Sequence, residues 1–272
     1  MRPRHGQGRK DLSWWARRMV VAVPAIIVLG CSPAVAAGAE TAKLKVAFSP
    51  YRLGQSTTLK IKLDLGVAGG GEGLPAPVTR FDMSIPANLE LIGSSLGLAI
   101  CQPVALLASG LQGCPANAQL GFGSAQINVP TGPESVSESA SIGAEMGPPV
   151  GEEIGVLLYV EAATPVAAQL IFPGVLFEGG QGQGLDTSVP LIPAWPGAPD
   201  ISMASLSLSL GPSHLTYYET LHGKTVAYHP RGVSLPAKCP PKGFQFVSRI
   251  AFQDQTTVTA SSTVPCPPQR RR

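Results

Sequence analysis

A Gly-Ser-Ser-Leu-Gly segment at residues 93–97 has the pattern that surrounds the nucleophilic serine of many hydrolases, with Ser95 at its centre. The acids and histidines that would complete a triad follow it in the appropriate chain order: Asp186, Asp200, His214, His222 and His229. Such a serine needs a strand before it and a helix after it within an alternating α/β sheet. The chain shows no such alternation, so a small secreted serine hydrolase using Ser95 is kept as the alternative function.

The residues that bind metals in other proteins are present here without a recognisable spacing. The three histidines lie within sixteen residues of one another, with no acid placed as a further ligand. The cysteines lack the short spacing of a zinc site. Four acids would be the ligands of a calcium site but do not form a loop of defined spacing: Glu134, Glu138, Glu152 and Glu153. We therefore expect neither a metal nor another cofactor.

Aromatic side chains are the better candidates for a binding site. Trp195 lies in a Pro-Ala-Trp-Pro-Gly segment, and Tyr217, Tyr218 and Tyr228 fall on one predicted hairpin. Such rings stack on sugars or anchor a protein partner. The alternative is that Trp195 packs over a sheet edge while the tyrosines fill one face of the hairpin.

The beginning of the chain has the features of a secretion signal. Six cations precede an uncharged apolar stretch at residues 19–30, and Ala34-Val35-Ala36 matches a cleavage site. The apolar stretch is about a dozen residues long, against roughly 20 for a bilayer span, so we expect no transmembrane segment. Residues 1–36 thus predict a secreted protein. The alternative is a lipid anchor at the cell surface, attached to Cys31, because the preceding Val-Leu-Gly sequence resembles a bacterial lipobox.

Four cysteines remain after this leader: Cys101, Cys114, Cys239 and Cys266. An even number in an exported chain predicts disulfides, and four cysteines allow three pairings. We expect the two local pairs, 101 with 114 and 239 with 266. The first would close a loop of about 14 residues, worth on the order of 3 kcal/mol in the chain-entropy model, and the second slightly more.

The charge distribution argues against nucleic-acid binding. Removing the leader's six cations and one acid from 20 basic and 17 acidic residues leaves 14 basic and 16 acidic ones, a net charge near −2. Apart from residues 270–272 there is no basic patch of the kind that binds phosphates. Residues 81–223 contain twelve acids and no lysine or arginine, which predicts an acidic surface.

Apolar and polar residues alternate with a period of two along most of the chain, which predicts β-strands. Residues 44–48 and 59–65 predict a hairpin, and further strands are predicted at 78–85, 89–92, 119–129, 154–161, 166–177 and 201–210. In the last of these the apolar phase slips, which predicts a β-bulge near Ala204 or Ser205. A short helix is predicted at residues 102–109, inside the first cysteine loop.

Two more hairpins are predicted towards the C-terminus. One covers residues 214–228 with its turn at His222-Gly223, and the other covers residues 244–264 and brings Cys239 near Cys266. Residues 131–151 and 179–184 are predicted as long mobile loops. Together these patterns predict an all-β antiparallel sandwich, immunoglobulin-like or related, over residues 37–267, followed by a basic tail at 268–272.

The cysteine-containing segments resemble a known pattern. Residues 98–101 and 113–121 read Leu-Ala-Ile-Cys and Gly-Cys-Pro-Ala-Asn-Ala-Gln-Leu-Gly, and the last hairpin lies between Cys239-Pro240 and Pro265-Cys266-Pro267. This is similar to β-rich secreted or cell-envelope proteins of high-GC actinobacteria, in which the second cysteine opens a C-P-x-x-S-x-x-G motif. Ala118 replaces the serine here. Because that family has no established activity, the resemblance implies location and architecture alone.

These features predict a secreted or cell-envelope-associated, non-enzymatic β protein with a structural or interaction role, such as adhesion or ligand binding. The expected partner is a cell-envelope polymer or another protein, and the expected contact residues are Trp195, Tyr217, Tyr218 and Tyr228.

Overall fold

The computed structural model describes residues 39–69, 73–91, 99–163, 167–179, 182–211, 216–228 and 232–267, which belong to one unit of the chain. These residues form antiparallel β structure with one short helix, α1 (Pro103–Ser109), and two 3₁₀ turns. The strands are β1 (Glu40–Ser49), β2 (Ser56–Val67), β3 (Val78–Pro86), β4 (Glu90–Leu91), β5 (Gln119–Pro130), β6 (Ser135–Met146), β7 (Ile154–Ala162), β8 (Ala168–Gly179), β9 (Gly182–Ser188), β10 (Ser202–Leu210), β11 (Tyr217–Leu221), β12 (Lys224–Tyr228), β13 (Val233–Ser234), β14 (Phe244–Phe252) and β15 (Thr257–Val264).

Thirteen of these strands form one continuous sheet. Its order is β15-β14-β3-β9-β8-β7-β6-β5-β10-β2-β13-β4, and β1 pairs with the edge of β2 that β10 leaves free. β1 and β15 then lie side by side, where the Val46 N–H donates to Ser262 Oγ at 3.2 Å. The sheet is therefore nearly closed and barrel-like. The all-β antiparallel prediction is confirmed, but the strands do not divide clearly into the two sheets of a sandwich.

Several local predictions are confirmed by the strand register. β1 and β2 form the predicted hairpin, with Leu44 opposite Leu63. In β10 the register shifts between Met203 and Ser205, at the predicted bulge. The turn between β11 and β12 falls at His222-Gly223, where both residues have positive φ angles of 50° and 80°, as a two-residue hairpin turn requires.

The prediction of two mobile loops, at residues 131–151 and 179–184, is wrong. Most of residues 131–151 is β6, which pairs with both β5 and β7. Its inward positions carry small side chains such as Ala140 and Ala144, so the sequence shows little apolar alternation although both residues are buried. Around residues 179–184 the chain makes a hairpin, in which Gly179 of β8 pairs with Gly182 of β9.

One end of the enclosed core is filled by aromatic rings. The ring of Phe48 lies 5.2 Å from that of Phe244 and 6.0 Å from that of Phe246, and Tyr51 packs 5.3 Å from Phe48. Such ring pairs stabilise a core by about 0.5–1.5 kcal/mol beyond the area they bury. The Tyr51 hydroxyl also donates to the carbonyl of Pro265 at 2.5 Å, which ties this end of the core to the end of the last hairpin.

Both predicted disulfides are present, Cys101–Cys114 and Cys239–Cys266. The first closes the segment containing α1, which packs on the outer face of the sheet through a second apolar cluster that includes Leu106, Leu157 and Tyr159. Gly143 of β6 allows this close approach, because a side chain there would collide with Leu111. Two disulfides fit an oxidising environment.

Replacing Phe246 with alanine should lower the free energy of unfolding by about 3–5 kcal/mol, since the ring is fully buried and its removal leaves a cavity. The neighbouring Val247 is exposed on the opposite face of β14, so Val247→Ala is the matched control and should change stability by about 0.5 kcal/mol or less. Urea unfolding of both variants measures this, and equal losses would contradict the assigned faces of the strand.

Candidate ligand cavity

An apolar cavity of about 130 Å³ lies against the inner face of the sheet, at the end remote from the aromatic group. Seven strands, β3 and β5 to β10, and the segment after β9 contribute to its wall. The lining side chains are mainly aliphatic and include Val78, Phe81, Ala125, Ile127, Ile142, Leu158, Val160, Ala162, Ala168, Leu170, Phe172, Leu185, Met203, Leu206 and Leu208.

The width of the sheet accounts for the cavity. Eleven strands run round the nearly closed path from β1 to β15. A ring of about eight strands is just wide enough for side chains to fill, and wider rings leave internal space. Several inward residues here are also small, among them Ala125, Ala162 and Ala168. Small residues at inward positions are the feature of the sequence that indicates this cavity.

The connection between β9 and β10, residues 189–201, covers this end of the ring. Four strands lie between β9 and β10 in the sheet, so the connection must cross from one side to the other. Val189, Ile192 and Ile201 line the cavity. The segment is held in place by hydrogen bonds, from the Val189 N–H to the Thr79 carbonyl at 2.9 Å and from Gln253 Nε2 to Asp200 Oδ2 at 2.8 Å.

The polar residues in the wall are Thr187 and Ser202 among the described residues that line the cavity. Thr187 lies between Phe81 and Gly174 in the register and shares the inner face with Phe81. Ser202 precedes Met203 in β10, and the two residues pair with Asn128 and Ile127 of β5. Because successive side chains of a strand point to opposite faces, the side chain of Ser202 is on the face opposite to that of Met203. Thr187 therefore supplies the polar side chain on the cavity side.

No charged residue lines the cavity within the described part of the chain. Asp186, next to Thr187, points to the outer face of β9, where its Oδ1 accepts a hydrogen bond from Arg80 Nε at 2.8 Å. Glu138 pairs with Ile127 in the register, so it lies on the inner face of β6, where it is buried. On the inner face the cavity thus combines an apolar wall with the hydroxyl of Thr187, and Glu138 lies on the same face of the sheet.

The structure places the predicted aromatic residues on two separate elements. Trp195 is at the tip of the β9–β10 connection, is 46% exposed and does not line the cavity. Tyr217 and Tyr228 are directly opposite each other in the β11–β12 hairpin. Tyr217 is buried and its hydroxyl donates to the Gln119 carbonyl at 3.2 Å, whereas Tyr218 is 74% exposed. Tyr217 and Tyr228 are therefore paired in the hairpin and Tyr218 is on its opposite face, while Trp195 belongs to the connection that covers the cavity.

The structure describes only some of the residues that a serine hydrolase would use. Ser95, His214 and His229 lie outside the described residues. Asp186 and Asp200 are hydrogen-bonded to Arg80 and Gln253, and His222 is exposed at a hairpin turn. In the part of the chain that is described, no three His, Cys, Asp or Glu side chains are grouped as metal ligands. The helices described there include none with the length and apolar character needed to cross a membrane.

A buried acid lies on the outer face of β6, next to the segment closed by the first disulfide. Glu145 is 2% exposed, and the neighbouring Met146 carbonyl accepts a hydrogen bond from the Cys101 N–H at 2.8 Å. Burial raises the pKa of the Glu145 carboxyl to about 8, because the charged form loses its hydration. Not all twelve acids of residues 81–223 therefore contribute to an acidic surface.

Comparison of this chain with protein-family models, with curated proteins and with solved structures finds no match.

The raised pKa of Glu145 predicts how stability depends on pH. The folded state holds the proton up to about pH 8, whereas the unfolded chain loses it near 4.5, so the free energy of unfolding should fall between these values and level off above them. Glu145→Gln should remove most of this fall and make the protein more stable than the wild type at pH 8. Glu134 is exposed, so Glu134→Gln is the control. Thermal unfolding across the pH range measures the effect, and parallel curves for wild type and Glu145→Gln would contradict it.

Proposed function

We propose that this protein is an exported, non-enzymatic β protein that binds a small apolar ligand in the cavity. The observation that carries the proposal is the apolar wall on the inner face of the sheet, with its cover of residues 189–201. Ligand sites in proteins are concave and mostly apolar, with few polar groups. The cavity supports an interaction role for the protein.

The volume limits the size of the ligand. An apolar cavity of roughly 150 Å³ is large enough to hold benzene, and the cavity here measures about 130 Å³. The enclosed part of the ligand is therefore a single ring or a short alkyl chain. Any longer part would have to leave the cavity beside the connection from β9 to β10.

Binding of a small ligand is better supported than binding of an envelope polymer. A sugar polymer needs aligned rings and polar groups along a surface, but Trp195 and the tyrosines are carried by different elements. The wall of the cavity offers one inward hydroxyl and otherwise aliphatic and aromatic contacts. Export of the protein is supported by the leader-like residues 1–36 and by the two disulfides.

Filling the cavity should weaken ligand binding. In Ala168→Phe the new ring would project from the beginning of β8 into the cavity and occupy the space of a benzene molecule. We expect the affinity for benzene, measured by ligand-detected saturation-transfer NMR, to fall by about tenfold or more.

The next residue offers a matched control, because Gln169 is exposed on the opposite face of β8. Gln169→Phe introduces the same ring outside the cavity and should leave benzene binding unchanged. Thermal unfolding of both variants checks that each is folded. Equal benzene binding by wild type and folded Ala168→Phe, or no binding by the wild type, would disprove the proposal.

A further inference from the structure

We propose that the ligand is a small uncharged amphiphile whose hydroxyl or carbonyl group hydrogen-bonds to Thr187. The inference rests on the proposed function and specifies the chemical class of the ligand. It is carried by the buried, unpartnered hydroxyl of Thr187, which shares the inner face of the sheet with the apolar wall of the cavity.

The position of Thr187 is fixed by its two neighbouring strands. It lies opposite Phe81 of β3 and Gly174 of β8, and Phe81 lines the cavity with it. The Thr187 hydroxyl occupies the space that a side chain at Gly174 would need, since a Cβ there would lie 2.5 Å from Thr187 Oγ1. The residue is thus held on the inner face of the sheet, in the wall of the cavity.

The hydroxyl has no hydrogen-bond partner among the described residues, although Thr187 is only 2% exposed. A buried polar group without a partner destabilises the folded protein, whereas valine has nearly the same shape and no such cost. A ligand that supplies the missing hydrogen bond would remove this cost on binding. Since a hydroxyl both donates and accepts, the complementary group is an alcohol or a carbonyl.

The charges around the cavity favour an uncharged ligand. No lysine, arginine or histidine is present among the described lining residues to neutralise an anion. An ammonium group would lose its hydration in the apolar wall. A neutral polar group avoids both costs and still pairs with Thr187.

Ser248 provides an internal control for this argument. Its hydroxyl is also fully buried and without a partner among the described residues, but it lies on β14 and does not line the cavity. Removing either hydroxyl should stabilise the protein without ligand. Only removal of the Thr187 hydroxyl should change ligand binding.

The test compares four probes that share a benzene ring: benzene, benzyl alcohol, benzoate and benzylammonium, each titrated into the protein at neutral pH and followed by saturation-transfer NMR. We expect the wild type to bind benzyl alcohol more tightly than either charged probe. Thr187→Val should weaken benzyl alcohol binding by about tenfold and leave benzene binding unchanged, which corresponds to the loss of one net hydrogen bond.

Two further variants complete the design. Thr187→Ser keeps the hydroxyl and should retain benzyl alcohol binding, and Ser248→Ala should bind both neutral probes like the wild type. Thr187→Val should also raise the melting temperature without ligand by about 2–4 °C.

The outcomes separate this inference from the proposed function. If Thr187→Val binds benzyl alcohol as the wild type does, or if a charged probe binds as tightly as the alcohol, the role of Thr187 and the ligand class are disproved while the apolar cavity still binds benzene. If the wild type binds neither benzene nor benzyl alcohol, both proposals are disproved.

Discussion

The fold depends on the need to enclose the apolar inner face of one long sheet. Alternating strands expose one apolar face each, and such a face must be removed from water for the strands to be stable. Here the enclosure is achieved by curling the sheet until β1 approaches β15, where Val46 and Ser262 form a hydrogen bond across the gap. Almost every other feature of the core follows from the width of the ring that results.

The interior of that ring is filled differently at its two ends. At one end the large rings of Phe48, Phe244 and Phe246 occupy the interior and contact one another. At the other end the inward residues are smaller, and a connection between distant strands covers the opening. Packing is therefore tight where the disulfide Cys239–Cys266 closes the last hairpin and looser where β9 is joined to β10.

What the sequence predicted well was local. The hairpins, the bulge beside Ser205, the short helix and both disulfides depend on residues close together in the chain, where alternation, turn residues and loop length are informative. The order of strands in the sheet depends on pairing between distant segments. Because a sandwich and a nearly closed sheet bury the same alternating residues, the alternation pattern does not distinguish them.

The parts of the candidate site that the sequence did not predict have the same origin. The alternation pattern does not predict β6, because alanine and serine replace the usual large residues on its two faces. The sequence does not indicate a role for Thr187, because its burial depends on pairing with Phe81 and Gly174, which are distant in the chain. Trp195 is predicted as a contact residue from its type alone, whereas in the structure it belongs to the connection that covers the cavity.

The architecture also explains why a cavity can persist in this protein. An unfilled space costs stability, because the side chains around it lose packing contacts. Here the wall consists of strands whose backbone hydrogen bonds run round the ring, so the wall cannot collapse inwards without breaking the pairing of β7, β8 and β9. The connection over the opening is tied down at Thr79 and Gln253 on neighbouring strands and turns. A cavity kept open by its backbone requires little rearrangement on binding, so more of the contact energy contributes to affinity for a ligand of matching size.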